Sequence, residues 1–338
     1  MKARIILMAM IVGSLLATAL FLLPGIAGSS RPQQVAVLMA SDLKNDKVTG
    51  LKEGLARYNF AEGKNISFIT RNAGGHSEDL PRLARDLVQQ QPDVLVVTGE
   101  AEALAAREAT REHPIPVVFV GVGCPVELGL IESHLASGNN FTGVDNYYVQ
   151  LSGKRLEYFQ RLLPGLHRVA VLYDPRVTPA RPTVDYVQEV SRRLGLQVDF
   201  YPVRDKKEVV ATLRSLTPDR TDGVMLLCSL LLESMTGAIN PVAIERHLPV
   251  MGVSENQTLK GLLASYGMPY REQGHQASRL VAKVLRGQNP ATIPVESPAN
   301  VQFIVNQNTA ARLGLELNPA GLACATRIIR TPGTGVGE

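Results

Sequence analysis

Tryptophan is absent from this chain, and Tyr and Phe make up only 5% of its 338 residues. A cleft built on stacked aromatic platforms for sugars is therefore disfavoured, because few rings are available to form one. The cysteines, Cys124, Cys228 and Cys324, are too few for a disulfide scaffold. They leave room for one bridge, and small free thiols in a wall are the simpler expectation. The histidines are scattered without metal-ligand spacing, so no metal is expected. No Walker A sequence occurs, and Gly121-Val122-Gly123-Cys124-Pro125-Val126 lacks the third glycine of a dinucleotide fingerprint. Gly252-Val253-Ser254-Glu255-Asn256 lacks the closing glycine of a nucleophile elbow. Charge of one sign does not dominate: 35 basic residues face 31 acidic ones, and no Lys/Arg cluster is interleaved with aromatics. Nucleic acid is thus not an expected partner. No residue set asks for catalysis, so neither an enzyme activity nor a cofactor is expected.

The length is sufficient for two domains with their own cores. At the N-terminus, Lys2 and Arg4 precede an uncharged, mostly apolar run from Ile5 to Leu23. Pro24 and Gly25 break that run, and Gly25-Ile26-Ala27 has the small-x-small pattern of a cleavage site. Residues 1–27 read as an export signal. Left uncleaved they would form an N-terminal anchor, since the run approaches the length of a membrane span. No cysteine adjoins the site, which argues against a lipid anchor. Export would place the remainder in the periplasm or elsewhere outside the cytoplasm.

Beyond the signal, strand and helix patterns alternate. Strands are expected at Val35 to Ala40, Ile66 to Thr70, Val94 to Thr98 and Val117 to Val122. The last is nearly all apolar and β-branched, as a parallel strand covered on both faces should be. Helical faces follow at Val48, Leu51 and Leu55, and at Leu80, Leu83, Ala84, Leu87 and Val88, with Ser77 as the N-cap of the second. Gly123-Cys124-Pro125 ends the fourth strand, Val126 to Leu135 reads as a helix, and Asn140 to Asp145 as a short extended segment. The scheme then repeats. Helices are expected at Gln150 to Leu163, from Pro182 to Gly195, at Lys206 to Leu216 and at Tyr270 to Arg286. Strands are expected at Val169 to Tyr173, Gln197 to Tyr201, Val224 to Leu227, Pro249 to Gly252 and Val301 to Val305. Leu263 to Tyr266 leads back towards the first half, and Asn308 caps a short helix ending at Gly314. Such alternation argues for an α/β protein of two Rossmann-like lobes, each a parallel sheet with helices on both faces.

Several segments together resemble the ABC-transporter substrate-binding proteins of the TrpX-like family. They are Pro92-Asp-Val-Leu-Val-Val97, Ile115-Pro-Val-Val-Phe119 with Pro125-Val126 and Gly129-Leu130, and Asn140-Phe-Thr-Gly143. Further matches are Gly261-Leu-Leu-Ala-Ser-Tyr-Gly267, Gly274-His-Gln-Ala277, Leu285-Arg-Gly287, Ile293-Pro-Val-Glu296 and Asn306-x-x-Thr-Ala-x-x-Leu-Gly314. Each is weak alone; their order and spacing, from Val35 to Leu315, carry the resemblance. It implies the type I periplasmic-binding-protein fold: two lobes joined by a multi-crossing hinge that close over a small solute, which a membrane permease receives. The implied crossings lie near Val144, Tyr266 and Asn300. The implied domains are residues 34–144 plus 267–299, residues 145–266 plus 300–325, and a flexible tail over 326–338. The sequence departs from its relatives at three positions. They often carry Thr or Ser where Glu100 stands, and Asp where Cys124 and Ser229 stand.

In open α/β sheets ligands lie beyond the carboxyl ends of the strands. That rule nominates Ser41 and Asp42 after the first strand, although both residue types are also common in turns. It nominates Gly99 and Glu100 at a helix N-terminus, where Glu100 would repel an anion and attract a cation. It nominates Gly123 and Cys124 in the first lobe, and Asp145, Tyr173, Ser229, Ser254, Glu255 and Tyr266 in the second lobe or hinge. Tyr147 and Tyr148 are further aromatic candidates, either as walls or as hinge packing. The expected function is capture of a small polar organic solute, such as an amino acid or nucleobase, for an ABC importer by hinge closure. The alternative is a membrane-tethered sensor of the same fold, and behind it an exported enzyme on a similar fold.

Overall fold

The computed structural model describes residues 31–177 and 180–330. The first lobe starts with β1 (Gln33–Met39), α1 (Asn45–Arg57), β2 (Ile66–Asn72) and α2 (Leu80–Gln89). It continues with β3 (Val94–Val97), α3 (Glu100–Ala109), β4 (Val117–Val122) and β5 (Phe141–Asp145). The strands form one parallel sheet in the order β2-β1-β3-β4-β5. Every residue of β3 and β4 is buried, which is why these strands read as unbroken apolar runs.

The chain then enters the second lobe with α4 (Tyr148–Leu162), β6 (Arg168–Tyr173), α5 (Ala180–Leu194), β7 (Gln197–Pro202) and α6 (Lys206–Ser215). β8 (Gly223–Leu226), α7 (Leu230–Ser234), α8 (Thr236–Glu245), β9 (Val250–Gly252), α9 (Glu255–Leu259) and β10 (Ala264–Gly267) follow. α10 (Tyr270–Leu285) returns to the first lobe. The chain closes with β11 (Gln302–Asn306), α11 (Gln307–Arg312), α12 (Pro319–Leu322) and β12 (Arg327–Ile329). The second sheet has the order β12-β11-β10-β9-β8-β6-β7 and is parallel except between β10 and β11.

Each sheet has apolar clusters on both faces. In the first lobe one cluster joins the sheet to α2 and α3, the other to α1 and α10. In the second, one joins it to α4 and α5, the other to α6 and α8. α1 and α10 touch backbone to backbone. A Cβ on Gly50 would stand 2.0 Å from the Arg271 carbonyl oxygen, and one on Gly274 would stand 2.0 Å from that of Lys47. This approach brings the first turns of both helices to the inner edge of the lobe.

Four local expectations need correction. Val126 to Leu135 is a run of turns, not a helix: Leu128 N donates to Cys124 O, and Gly129 at φ +65° stops the turn. Leu128, Leu130 and Ile131 are pulled into the first core instead, while Leu135 is left 82% exposed. Ser77 makes no cap; it opens a short 3₁₀ turn ahead of α2. Asn306, not Asn308, caps α11, its side chain accepting from Thr309 N at 3.1 Å. Leu263 to Tyr266 falls in β10, a full strand between β9 and β11, after which the chain returns to the first lobe with α10. Arg327–Ile329, placed in a flexible tail by the sequence, pairs with β11 as an edge strand. The expected signal at 1–27 and the tail from Thr331 lie outside the described residues. Among the described residues no helix is long and apolar enough to cross a membrane.

Candidate functional site

The carboxyl ends of both sheets face each other across a cleft of about 490 Å³, counting its solvent-open part. The first lobe contributes Lys44 and Lys47 after β1, Thr98, Gly99 and Glu100 after β3, and Gly121 in β4. Tyr270 and Gln273 reach in from the first turn of α10. Asn146 sits at the crossing, and Tyr148, Leu151 and Arg155 line the inner face of α4. Cys228, Glu233, Val253, Ser254 and Met268 complete the second-lobe wall.

Arg155 is the least expected member. Its residue is 3% exposed, on the same helix face as the buried Tyr148, Ser152 and Phe159. Nε donates to Tyr266 O at 2.7 Å and Nη1 to Ser152 Oγ at 3.1 Å. Among the described residues no carboxylate pairs with it, and burial pushes its pKa below the ordinary value. A buried cation lacking a counter-ion is costly unless something else supplies the charge.

Acceptors gather on the opposite wall. Glu100 Oε1 accepts from Gly123 N at 3.0 Å. Burial pushes the Glu100 carboxyl above the usual range, against the Gly123 N–H and the nearby ammonium groups of Lys47 and Lys44. Asn146 donates through Nδ2 to Gly121 O at 3.2 Å, which leaves its Oδ1 as the free end. That oxygen is buried without a partner among the described residues and lies 3.1 Å from where a Cβ on Gly123 would stand. Glu100 and Asn146 Oδ1 therefore converge around Gly123. Gln273 repeats the pattern: Nε2 donates to Met268 O at 2.8 Å, and Oε1 is buried without a partner among the described residues. That oxygen packs on Gly121, whose φ of +69° and lack of a Cβ both fit the position.

Two lysines close the inner edge. Lys47, 3% exposed, donates to Thr98 O and Val120 O, each at 2.7 Å, and so ties the ends of β3 and β4 together. Burial, reinforced by Lys44, lowers its pKa to about 8. Lys44 Nζ pairs with Glu233 Oε2 at 3.0 Å. Burial alone would depress Lys44, but Glu233 and Tyr270 raise it well above its ordinary value. Glu233 is held below the usual carboxylate range because Lys44 and Tyr270 outweigh its burial.

Of the residues nominated by the sequence, Gly99, Glu100 and Ser254 line this cleft, as does Tyr148. Gly123 borders it through its bond to Glu100. Ser41 and Asp42 line a separate, open groove between the lobes, opposite Asp174, Arg176 and Leu230, and Asp42 accepts there from Asn72. Cys124 takes a left-handed turn at φ +51°, and Cys124, Cys228 and Cys324 are all free. Asp145 ends β5, bonded to His134 and to Tyr147 N. Tyr173 packs on Phe200, and Ser229 caps α7 through Leu232 N. Glu255 pairs with Arg327 beside a neighbouring cavity. The Tyr266 ring packs on Tyr158, and only its carbonyl reaches the site, through Arg155. Sequence reasoning missed Lys47 and Arg155, although both left a signal: a cation at helical spacing within an otherwise apolar stripe.

Comparison with known proteins gives a consistent result. The family described as ABC transporter substrate binding protein matches residues 34–329. A tyrosine-binding protein of Clostridioides difficile (strain R20291) is 26% identical over 268 residues, 79% of this chain and 76% of that protein. Among solved structures, a conserved domain protein from Vibrio cholerae superposes with a TM-score of 0.82 at 25% identity. It covers 88% of this chain and 100% of that one. An ABC domain from Streptococcus pneumonia in complex with L-Trp superposes with a TM-score of 0.81 at 20% identity, covering 88% and 99%.

Proposed function

We propose that this chain, which belongs to the ABC transporter substrate-binding protein family, captures an α-amino acid between its lobes for import by a membrane permease. The observation that carries the ligand class is Arg155, a buried guanidinium that pairs with no carboxylate among the described residues, set across the cleft from Glu100 and Asn146 Oδ1. A zwitterion supplies what each wall lacks: its carboxylate pairs with Arg155, and its ammonium meets Glu100 and Asn146. Leu151, Val253, Met268 and the Tyr148 ring offer an apolar surface for the side chain. The ligands named for two similar proteins, tyrosine and L-Trp, make aromatic amino acids the first choice. Closure follows from contacts on both lobes, which favour the closed state that the permease would read. Export by the N-terminal segment belongs to the same proposal.

A thermal-shift panel on the purified protein tests this reading, with amino acids, nucleobases, sugars and polyamines as probes. A ligand at a hundred times its Kd adds about 2.7 kcal/mol, enough for a shift of several degrees. L-Tyrosine or L-tryptophan is expected to shift the midpoint, whereas tyramine, lacking the carboxylate, is not. A shift with tyramine equal to that with tyrosine, or a response to sugars alone, would overturn the assignment.

A further inference from the structure

We propose that Lys44, Glu233 and Tyr270 form a clamp across the cleft that sets the closing equilibrium of the lobes, acting as positioning residues rather than ligand contacts. Lys44 ends the 3₁₀ turn after β1 and Tyr270 opens α10, both in the first lobe. Glu233 lies on α7 in the second. Lys44 Nζ bonds Glu233 Oε2 at 3.0 Å and Tyr270 Oη at 2.9 Å. The Tyr270 hydroxyl in turn lies 2.5 and 2.6 Å from the two Glu233 oxygens. The ammonium also sits 4.5 Å from the centre of the Tyr270 ring. Only 12% of the Lys44 side chain and 6% of the Glu233 side chain are exposed. Among the described residues this is the one ion pair that joins the two lobes.

The polar groups of the clamp satisfy one another, unlike Arg155 and Asn146 Oδ1, which do not find such partners. That contrast sets the clamp apart from the spare groups of the same cleft, whose walls its three side chains also line. Each lobe has its own apolar clusters on both sheet faces, and α7 reaches a first-lobe cluster through Leu230. When the lobes part, Lys44 and Glu233 are both hydrated. When they close, both lose water and gain each other. Removing one charge leaves the other buried and unpaired in the closed state alone, so closing is opposed while each lobe stays folded. Removing both charges takes that penalty away. The mark of the clamp is therefore non-additivity.

The ligand arm of the test rests on the amino-acid reading; the scattering arm does not. Lys44→Met, Glu233→Gln and the double variant are compared with the wild-type chain by small-angle X-ray scattering without added ligand and by calorimetric titration with L-tyrosine. Each single variant is expected to scatter as a more open molecule and to bind L-tyrosine about tenfold or more weakly. The double variant is expected to recover most of both properties, with thermal midpoints close to wild type throughout. Single variants that match wild type in scattering overturn the clamp, as does a double variant equal to the sum of the singles. If wild type binds no L-tyrosine, the amino-acid reading loses its first-choice ligand, and scattering still decides the clamp.

Discussion

Replacing Arg155 with methionine is expected to separate ligand binding from folding. The guanidinium makes two internal bonds, to Tyr266 O at 2.7 Å and to Ser152 Oγ at 3.1 Å. Losing hydrogen bonds to a charged group costs about 1.5–3 kcal/mol each. Methionine, however, also removes a cation that is 3% exposed and has no carboxylate partner among the described residues, and relief of that burial is worth several kcal/mol in the opposite direction. The two contributions nearly cancel, so the thermal midpoint should move by only a few degrees in either direction. Binding has no such compensation. Removing one member of a desolvated, hydrogen-bonded charge pair costs about 2–5 kcal/mol, which is roughly 30- to 4,000-fold in Kd. Calorimetric titration with L-tyrosine reads the second effect and thermal denaturation the first. Arg155→Lys should fall between, since it keeps the charge but loses the planar fork that matches a carboxylate. An Arg155→Met protein that is folded and binds as tightly as wild type would refute the assignment of the carboxylate to Arg155.

Two further variants probe the scaffold behind the site. In Gly274→Ala the new Cβ would stand 2.0 Å from Lys47 O and 2.6 Å from Leu51 N, both immovable backbone atoms. α1 and α10 must separate, at an expected cost of about 1–3 kcal/mol or more; an unchanged melting temperature would show that the helix contact is looser than described. Glu53 is held down to about 2 by hydrogen bonds from Arg271 and His275, from an ordinary 4.5. Because the folded value lies below the unfolded one, this carboxylate stabilises the fold above about pH 4.5 and loses that contribution as pH falls towards 2. Glu53→Gln should therefore flatten the acid-side decline of the melting curve over that window, and curves parallel to wild type would contradict the linkage.

The strands were legible where a single rule governed them. Val117 to Val122 is buried on both faces, and apart from Gly121 its residues answer to that one constraint. Val126 to Leu135 misled because its apolar residues answer to the first core from a chain of turns, with Gly129 interrupting any helical period. The rule that ligands sit at strand ends led to Gly99, Glu100 and Ser254, which line the cleft. The same rule overreached at Ser229, where a strand-end serine serves as a helix cap instead. Lys47 and Arg155 escaped it because they sit on helices, where a buried cation looks like a flaw in an apolar stripe until the facing wall is known.

The sequence by itself determined the alternation of strands and helices, the division of labour between apolar sheet residues and loop-borne polar ones, and the resemblance to a solute-binding family. These follow from periodicity and local chemistry, which a linear chain carries at every point. Tertiary structure alone decided which charges find partners. Lys44, Glu233 and Tyr270 are joined in one network although they are far apart in the chain. Among the described residues Arg155 has no counter-ion, because the surrounding helix and strand offer it a carbonyl and a hydroxyl instead. Whether a charged side chain is satisfied, spare or unpaired depends on groups brought within a few ångströms by the closure of two lobes, and no local pattern in the sequence encodes that distance.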